Sequence, residues 1–491
     1  MPGLEPGITD KNNNGLGQVA LSWLMASWGG IMTTDPRQIL DTSAMSRLQY
    51  LIIGLTVGLN ALDGFDVLAI SFAGPGIVQE WELGSVGLGF VLSMELIGMA
   101  VGSVLLGGIA DKIGRRPTIM GCLFAMAIGM FMVTTTSSLA ELSIWRVITG
   151  LGIGGMLAAI NAVAAEFSSL KERARMIAIM TIGYPVGGVV GGSIVTQLMQ
   201  VFDWRAVFYF GAAATVIFIP LTYFILPESV HWLTRKQPQG ALERINATMK
   251  RLGHSAVGQL PDIEEAARKV STSFIFSRTM IATTLLVTAV YFLHVITLYY
   301  ILKWTPTLVV NMGYAPYLAG EALTWASIGG ALGCVFFGVL STRFSLKSLT
   351  IFTFVMAWIF TAIFGRAPEE LAMIKLFVAM AGFFVNAGIV GAYAILVEVF
   401  PTQARASGTG FCIGVGRGGA VLSPIIAGFL LTFELDLPTL SLVMGAGSVI
   451  AAFLLLFLKL DSGGHSAGAG GKEVDEGRPA PEGNAGNPAP A

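Results

Sequence analysis

Twelve apolar stretches of about 20 residues run along this chain, and no soluble fold accommodates that pattern. Each is long enough to cross a bilayer as a helix. Their spans are 49–72, 85–109, 118–136, 139–163, 174–200, 205–226, 280–303, 318–341, 347–365, 371–396, 406–431 and 438–460. None shows sustained two-residue alternation, which favours helices over a β-barrel. Composition agrees: 54% of the 491 residues are hydrophobic and 12% are charged, with a mean hydropathy of +0.73. A soluble domain carries about 25% charged residues. The expected fold class is an all-α membrane protein of twelve transmembrane helices in two pseudo-symmetric six-helix bundles.

The loops between the runs alternate in charge. One set is basic: Lys112, Arg115 and Arg116; Lys171, Arg173 and Arg175; Arg343 and Lys347; Arg405. The other is acidic or nearly neutral: Glu80 and Glu82; Glu141; Glu369 and Glu370; Glu434 and Asp436, with Arg205 and Arg366 as exceptions. The positive-inside rule puts the basic set and both termini in the cytoplasm of a bacterial cell, with the chain in its inner membrane. The expected organisation is a cytoplasmic segment 1–48, a first bundle 49–226, a cytoplasmic linker 227–279, a second bundle 280–460 and a disordered tail 461–491. Met32-Thr-Thr-Asp-Pro resembles a natural start, so residues 1–31 are read as an over-long beginning. Ala241 to Leu252 has apolar residues at helical spacing and is expected to lie as a short helix on the membrane face. A net charge of −1 gives no sign of a nucleic-acid partner. Cys122, Cys334 and Cys412 are isolated within apolar runs, and the four histidines do not cluster, so no metal site and no cofactor are expected.

The two halves repeat. Glu166 and Glu398 are offset by 398 − 166 = 232, and Arg173 and Arg405 by 405 − 173 = 232. Gly107 and Gly338 are offset by 338 − 107 = 231, as are Arg116 and Lys347 (347 − 116 = 231). Duplication of a six-helix unit is a common plan of transporters, with the site near the midplane between the repeats. Gly107-Gly-Ile-Ala-Asp-Lys-Ile-Gly-Arg-Arg-Pro117 joins the second and third runs and fits G-x-x-x-D-[RK]-x-G-[RK]-[RK]. Gly107 permits close helix approach, Gly114 a tight turn, and Asp111 can pair with a neighbouring arginine. This segment resembles the major facilitator superfamily. Its echo has Thr342 in the place of Asp111, which weakens the expected second gate.

Within that superfamily, Asp63-Gly-Phe-Asp66, Tyr299-Tyr-Ile-Leu-Lys-Trp-Thr-Pro-Thr-Leu308, Glu398-Val-Phe-Pro-Thr-Gln-Ala-Arg-Ala-Ser-Gly408 and Gly414-Val-Gly-Arg-Gly-Gly419 resemble the aromatic acid:proton symporter family. Pro227-Glu-Ser-Val-His-Trp-Leu233 resembles a marker shared with sugar porters. Lys303-Trp304 departs from the small residue expected before the tryptophan. The resemblance implies proton-coupled uptake of an aromatic carboxylate, with the proton as coupling ion, in a monomer embedded in the bilayer.

Ionisable residues inside the runs are expensive and mark function, at about 2.5–3.5 kcal/mol each on insertion scales. Counting 1.5 Å per residue puts Asp63, Glu95, Arg146, His294 and Arg417 in one layer, about 15–21 Å from the inner edge. Asp63 and Asp66 share a helix face, where mutual repulsion and desolvation both favour the protonated form. They are expected to carry protons, with Glu95 and Arg146; the resemblance implies proton coupling for the arginine. Arg417 is a natural bidentate clamp for a carboxylate. His294, Tyr300, Trp304, Asn386 and Tyr393 are expected to line the substrate site. The basic-side gate is expected from Gly107, Asp111, Arg115, Arg116, Glu166, Arg173 and Arg175, with Glu398 and Arg405 as its counterpart. The competing readings are another organic acid or a sugar-like metabolite as cargo, an exporter, and a transporter-derived receptor. A membrane enzyme is disfavoured because no nucleotide loop or nucleophile motif is present.

Overall fold

The computed structural model describes residues 35–261, 275–368, 370–401 and 404–458. The readings of residues 1–31 as an over-long start and 461–491 as a disordered tail lie outside them. Among the described residues the regular structure is entirely helical: α1 Pro36–Thr42, α2 Arg47–Trp81, α3 Ser85–Ile113, α4 Arg115–Val133, α5 Leu139–Glu166, α6 Arg173–Leu198, α7 Arg205–Ile225, α8 Val230–Lys236, α9 Ala241–Leu252, α10 Ile281–Asn311, α11 Pro316–Leu340, α12 Leu346–Phe364, α13 Leu371–Val399, α14 Arg405–Thr432 and α15 Leu437–Leu456. Twelve of these, α2–α7 and α10–α15, are long and apolar enough to cross a membrane.

Ten spans fall within a few residues of the sequence expectation. Two run longer. The first was expected to stop at Phe72 and the seventh at Lys303, short of Pro75 and Pro306. Both helices continue through the proline. A membrane helix tolerates proline where neighbouring helices pack closely around it. At the first, a Cβ on Gly76 would lie 2.8 Å from Trp204. Local chemistry fixes the ends. Ser46 and Gln49 form a reciprocal capping box on α2, and Glu82 ends it in the left-handed conformation. Gly114 turns the chain between α3 and α4 at φ +112°, a conformation that favours glycine.

Helix pairing repeats along the chain. In the first six spans α2 packs on α6, α3 on α5, and α4 on α5 and α7; in the last six, α10 packs on α14, α11 on α13, and α12 on α13 and α15. Glycines carry the closest of these contacts. Gly183, Gly187 and Gly191 of α6 lie at four-residue spacing against Val57, Ala61 and Phe65 of α2. Gly98 and Gly102 of α3 meet the backbone of α5, and Gly150 of α5 meets that of α3. Their echoes, Gly329, Gly333 and Gly382, do the same between α11 and α13. The offsets are 329 − 98 = 231, 333 − 102 = 231 and 382 − 150 = 232. The repeat is therefore kept in the packing as well as in the loops.

The first six spans meet the last six through α2–α10, α3–α14 and α6–α11. These contacts gather at the end away from the basic loops. A Cβ on Gly89 would lie 2.6 Å from the Pro424 carbonyl, and one on Gly192 2.7 Å from Thr324 Oγ1; Ser93 Oγ donates to the Val421 carbonyl at 2.7 Å. Toward the basic loops, beyond the bonds of Arg417 to the Met99 carbonyl and of Tyr184 to Tyr299, no hydrogen bond or ion pair joins the halves among the described residues. The halves are thus closed at one end and parted at the end bearing the basic loops.

The two arginines that broke the charge alternation have local partners. Arg205 makes paired 2.7 Å bonds to Glu80, which also accepts from Trp204 Nε1 at 2.7 Å. Arg366 Nη1 donates to the Ala362 carbonyl near the end of α12 at 3.4 Å. The expected surface helix α9 is present, but Ala241, Ile245, Met249 and Leu252 are buried. α9 packs on α8 and α2, so the protein itself covers the face assigned to the membrane.

Gly187→Ala is expected to destabilise the detergent-solubilised protein by about 1–3 kcal/mol, since its methyl would enter the Ala61 backbone. Gly121→Ala, whose methyl meets nothing within 4 Å, is expected to lose nothing. Thermal unfolding of the two variants side by side checks the contrast.

Candidate functional site

Glu95 is the hub of the buried charges. Its side chain, like those of Arg146 and Lys303, is fully inaccessible. Arg146 on α5 pairs with Glu95 Oε1, and Lys303 Nζ on α10 lies 3.4 Å from Oε2. One carboxylate on α3 thus bridges two cations from different halves of the chain. Both cations also reach the backbone of α2. Arg146 Nη2 donates to the Asp66 carbonyl at 3.1 Å, and Lys303 Nζ donates to the Val67 carbonyl. The Arg146 guanidinium lies over the Phe208 ring, 5.5 Å from its centroid.

Asp63 and Asp66 are 1% and 0% exposed, and none of their four carboxyl oxygens has a hydrogen-bond partner in the structure. Neither aspartate is ion-paired with Arg146 or Lys303. Both cations are taken up by Glu95 and by backbone oxygens. Gly64, between the aspartates, lies against the backbone of Tyr184 on α6, so the space it opens is filled by a helix.

Arg417 on α14 is half-buried and donates to the Met99 carbonyl on α3 at 3.2 Å, across the interface between the halves. Gly416 beside it lies against the ring of Tyr291. Tyr291 shares a 3.0 Å hydroxyl bond with Tyr393 on α13, and Tyr184 hydrogen-bonds Tyr299. A narrow crevice between the halves is lined by Leu68, Tyr184, Leu302, Ser327, Gly330 and Asn386. Asn386 lines this crevice, and Tyr393, which is not among its lining, bonds Tyr291 beside Gly416.

Three residues expected in the substrate site point elsewhere. His294 Nδ1 bonds Ser448 and Nε2 bonds the Val385 carbonyl, each at 2.9 Å, and its ring stacks on Phe354 at 4.1 Å. The Tyr300 hydroxyl bonds Ser441 at 2.8 Å. Trp304 Nε1 donates to the Pro424 carbonyl at 3.3 Å. All three are buried among the last six spans. α10 is enclosed on nearly every side, so its hydrophobic pattern carries no face to read. Lys303, Tyr184 and Ser327 were missed as site residues. A lysine amid an apolar run was the one available signal for Lys303; Tyr184 lies among the glycines through which α6 packs on α2.

At the basic end, Arg115 bridges Asp111 at 2.8 Å and Glu166 at 2.9 Å. Gly107 faces Ala158. The sequence missed the linker's share. Arg235 reaches Asp111 at 3.1 Å, Trp232 Nε1 donates to the Asp111 carbonyl at 3.1 Å, and Glu228 accepts the Arg115 backbone N–H at 2.8 Å. Burial pushes the Glu228 carboxyl up despite those backbone donors. The expected single network is also divided. Arg173 pairs with Asp41 of α1, Arg175 with Glu172, and Arg116 with the Tyr223 carbonyl. Among the described residues Glu398 and Arg405 form no ion pair; Glu398 is exposed and Arg405 Nε has no partner.

The family model described as Major Facilitator Superfamily matches residues 56–368 and 305–483. Among curated proteins, the chain is similar to a gallate transporter of Pseudomonas putida, 27% identical over 425 residues, covering 86% of this chain and 94% of that protein. A 4-hydroxybenzoate transporter of Acinetobacter baylyi is 27% identical over 431 residues, with coverages of 86% and 94%. A 3-(3-hydroxy-phenyl)propionate transporter of Escherichia coli is 26% identical, covering 85% and 95%. The partially occluded, inward-open xylose transporter of E. coli superposes with a TM-score of 0.67 at 18% identity, covering 86% of this chain and all of that one. With its twelve spans and a family model covering most of its length, the chain belongs to the Major Facilitator Superfamily and is a multi-pass membrane transporter, not an enzyme.

Proposed function

We propose that this chain takes up an aromatic carboxylate together with protons across a bacterial inner membrane by alternating access. The basic loops and both termini face the cytoplasm, and bundles 49–226 and 280–460 rock about the site between them. It works as a monomer in the bilayer, with the proton as its only coupling ion. The observation that carries this is the pair of buried, unpartnered aspartates beside the Glu95 hub. An isolated ionised carboxylate in such a place is far too costly to persist, so the arrangement is stable with Asp63 and Asp66 protonated. Both then serve as proton carriers. Aromatic acids as cargo follow from the relatives, whose names include gallate, 4-hydroxybenzoate and benzoate transporters; none of these points to a sugar. Arg417, at the interface and among the described residues held only by the Met99 carbonyl, is free to take the substrate carboxylate. In this conformation the crevice beside Leu68 and Leu302 has a volume of only about 20 Å³, so it must widen during the cycle to admit a ring between those apolar walls, with Ser327, Asn386 and Tyr184 as polar contacts. His294, Tyr300 and Trp304 shape the wall of α10 from behind. One proton with a monoanion is electroneutral; each further proton adds about 2.3 kcal/mol per 100 mV of membrane potential.

Uptake into proteoliposomes under an inward proton gradient tests this, with hydroxybenzoate, protocatechuate, vanillate, a lignin-derived biaryl acid and glucose as the panel. One aromatic acid is expected to accumulate and glucose is not. Outward movement of the acid against its gradient would instead identify an exporter. Asp66→Asn and Asp63→Asn are each expected to abolish gradient-driven accumulation while leaving substrate exchange at zero gradient intact. Accumulation that survives both substitutions removes the aspartates from the proton path. Arg417→Gln is expected to raise the KM about 10- to 150-fold, the worth of a charged hydrogen bond, with little change in how uptake depends on pH.

A further inference from the structure

Among the described residues, one ion pair joins the first six spans to the last six, that of Lys303 with Glu95. It lies in the interior, with both side chains fully inaccessible. Around Glu95 stand Asp63 and Asp66 on α2, Arg146 on α5, Tyr184 on α6 and Tyr299 beside Lys303 on α10. Arg417 of α14 bonds Met99, one turn along α3. Arg146 and Lys303 hold consecutive carbonyls of α2, those of Asp66 and Val67. The neighbours of that contact, Leu68 and Leu302, line the central crevice. An anion shared by two cations from opposite halves, beside a protonatable carboxyl, has the parts of a switch.

We propose that Lys303 is a positioning residue that conveys the protonation state of the first half to the second. It rests on proton-coupled transport being the activity. In the conformation seen, Glu95 divides its charge between Arg146 and Lys303. When the proton of Asp66 leaves for water, the new carboxylate takes Arg146, which already donates to the Asp66 carbonyl. Glu95 is left with Lys303 alone, and their pair draws α10 toward α3. Return of a proton to Asp66 releases Arg146 to Glu95 and loosens Lys303. Arginine cannot replace glutamate's role here, but it can replace the lysine, because only a cation on α10 is required.

The test places spin labels at Lys112 and Arg343, two exposed positions at the parted end, in a protein whose three cysteines are replaced by serine. Inter-label distances are measured by pulsed dipolar spectroscopy from mildly acidic to mildly alkaline pH, without substrate. The wild type is expected to shift between a longer and a shorter distance. Lys303→Met is expected to hold one distribution at every pH, and Lys303→Arg to restore the shift. Lys303→Met leaves Glu95 paired with Arg146, so folding is expected. Should it fail to fold, Lys303→Gln, which keeps a donor for the Val67 carbonyl and leaves Glu95 paired with Arg146, is expected to lose the shift as well. In proteoliposomes Lys303→Met is expected to lower gradient-driven accumulation at least about fivefold while sparing exchange. A wild type without a pH-dependent shift, or a shift undiminished in either lysine-free protein, overturns the proposal. Because the distances need no substrate, a wild type that shifts but accumulates no aromatic acid refutes the substrate assignment and leaves the switch standing.

Discussion

The Glu95 carboxylate, sealed from water between Arg146 and Lys303, is the interaction on which the centre of this transporter depends. An ion in a low-dielectric interior must be paired, and removing one partner of such a pair leaves an uncompensated charge. Here one anion faces two cations. With Asp63 and Asp66 protonated, Glu95, Arg146 and Lys303 leave an excess of one positive charge at the meeting point of the halves. That excess suits the anionic substrate proposed above. It also makes the aspartates responsive, because a carboxylate formed beside Arg146 has a cation waiting.

The glycine stripes make that closeness possible. Helices that meet through glycine bring their backbones within reach of side chains from the next helix. The contact of α6 with α2 through Gly183, Gly187 and Gly191 and that of α3 with α5 through Gly98, Gly102 and Gly150 hold α2, α3 and α5 tightly enough for Arg146 to reach both Glu95 and the Asp66 carbonyl. The echoing stripes of α11 and α13 build a similar frame on the other side. That frame encloses His294, Tyr300 and Trp304 within its own packing and leaves Lys303 to face the first half.

The basic end shows how the parted state is organised. The signature loop between α3 and α4 is tied to α5 by Glu166 and to the linker by Glu228, Trp232 and Arg235. α1 joins the same surface through Asp41 and Arg173. The charges of this surface are satisfied within the first half and the linker. Glu398 and Arg405, their counterparts, stand unpaired with one another. Such an end can separate without stranding the network around Asp111.

The sequence by itself determined the twelve spans, the duplicated plan and the family, because apolar length, loop charge and glycine spacing are local quantities that survive without knowledge of neighbours. It also placed Asp63, Glu95, Arg146, His294 and Arg417 in one layer, since a charge within a membrane helix stands out against its surroundings. It did not determine how those charges pair. That Lys303 takes Glu95, that the aspartates are left without partners, and that His294 turns into the second half's core depend on the rotation of α10, whose pattern is apolar all round. The continuation of α2 past Pro75 and of α10 past Pro306 was likewise decided by neighbours, because the backbone groups a proline frees are satisfied or shielded by helices distant in sequence. The cover over α9 came from α8 and α2 for the same reason: an amphipathic pattern states that a face must be buried, and only the tertiary structure says against what.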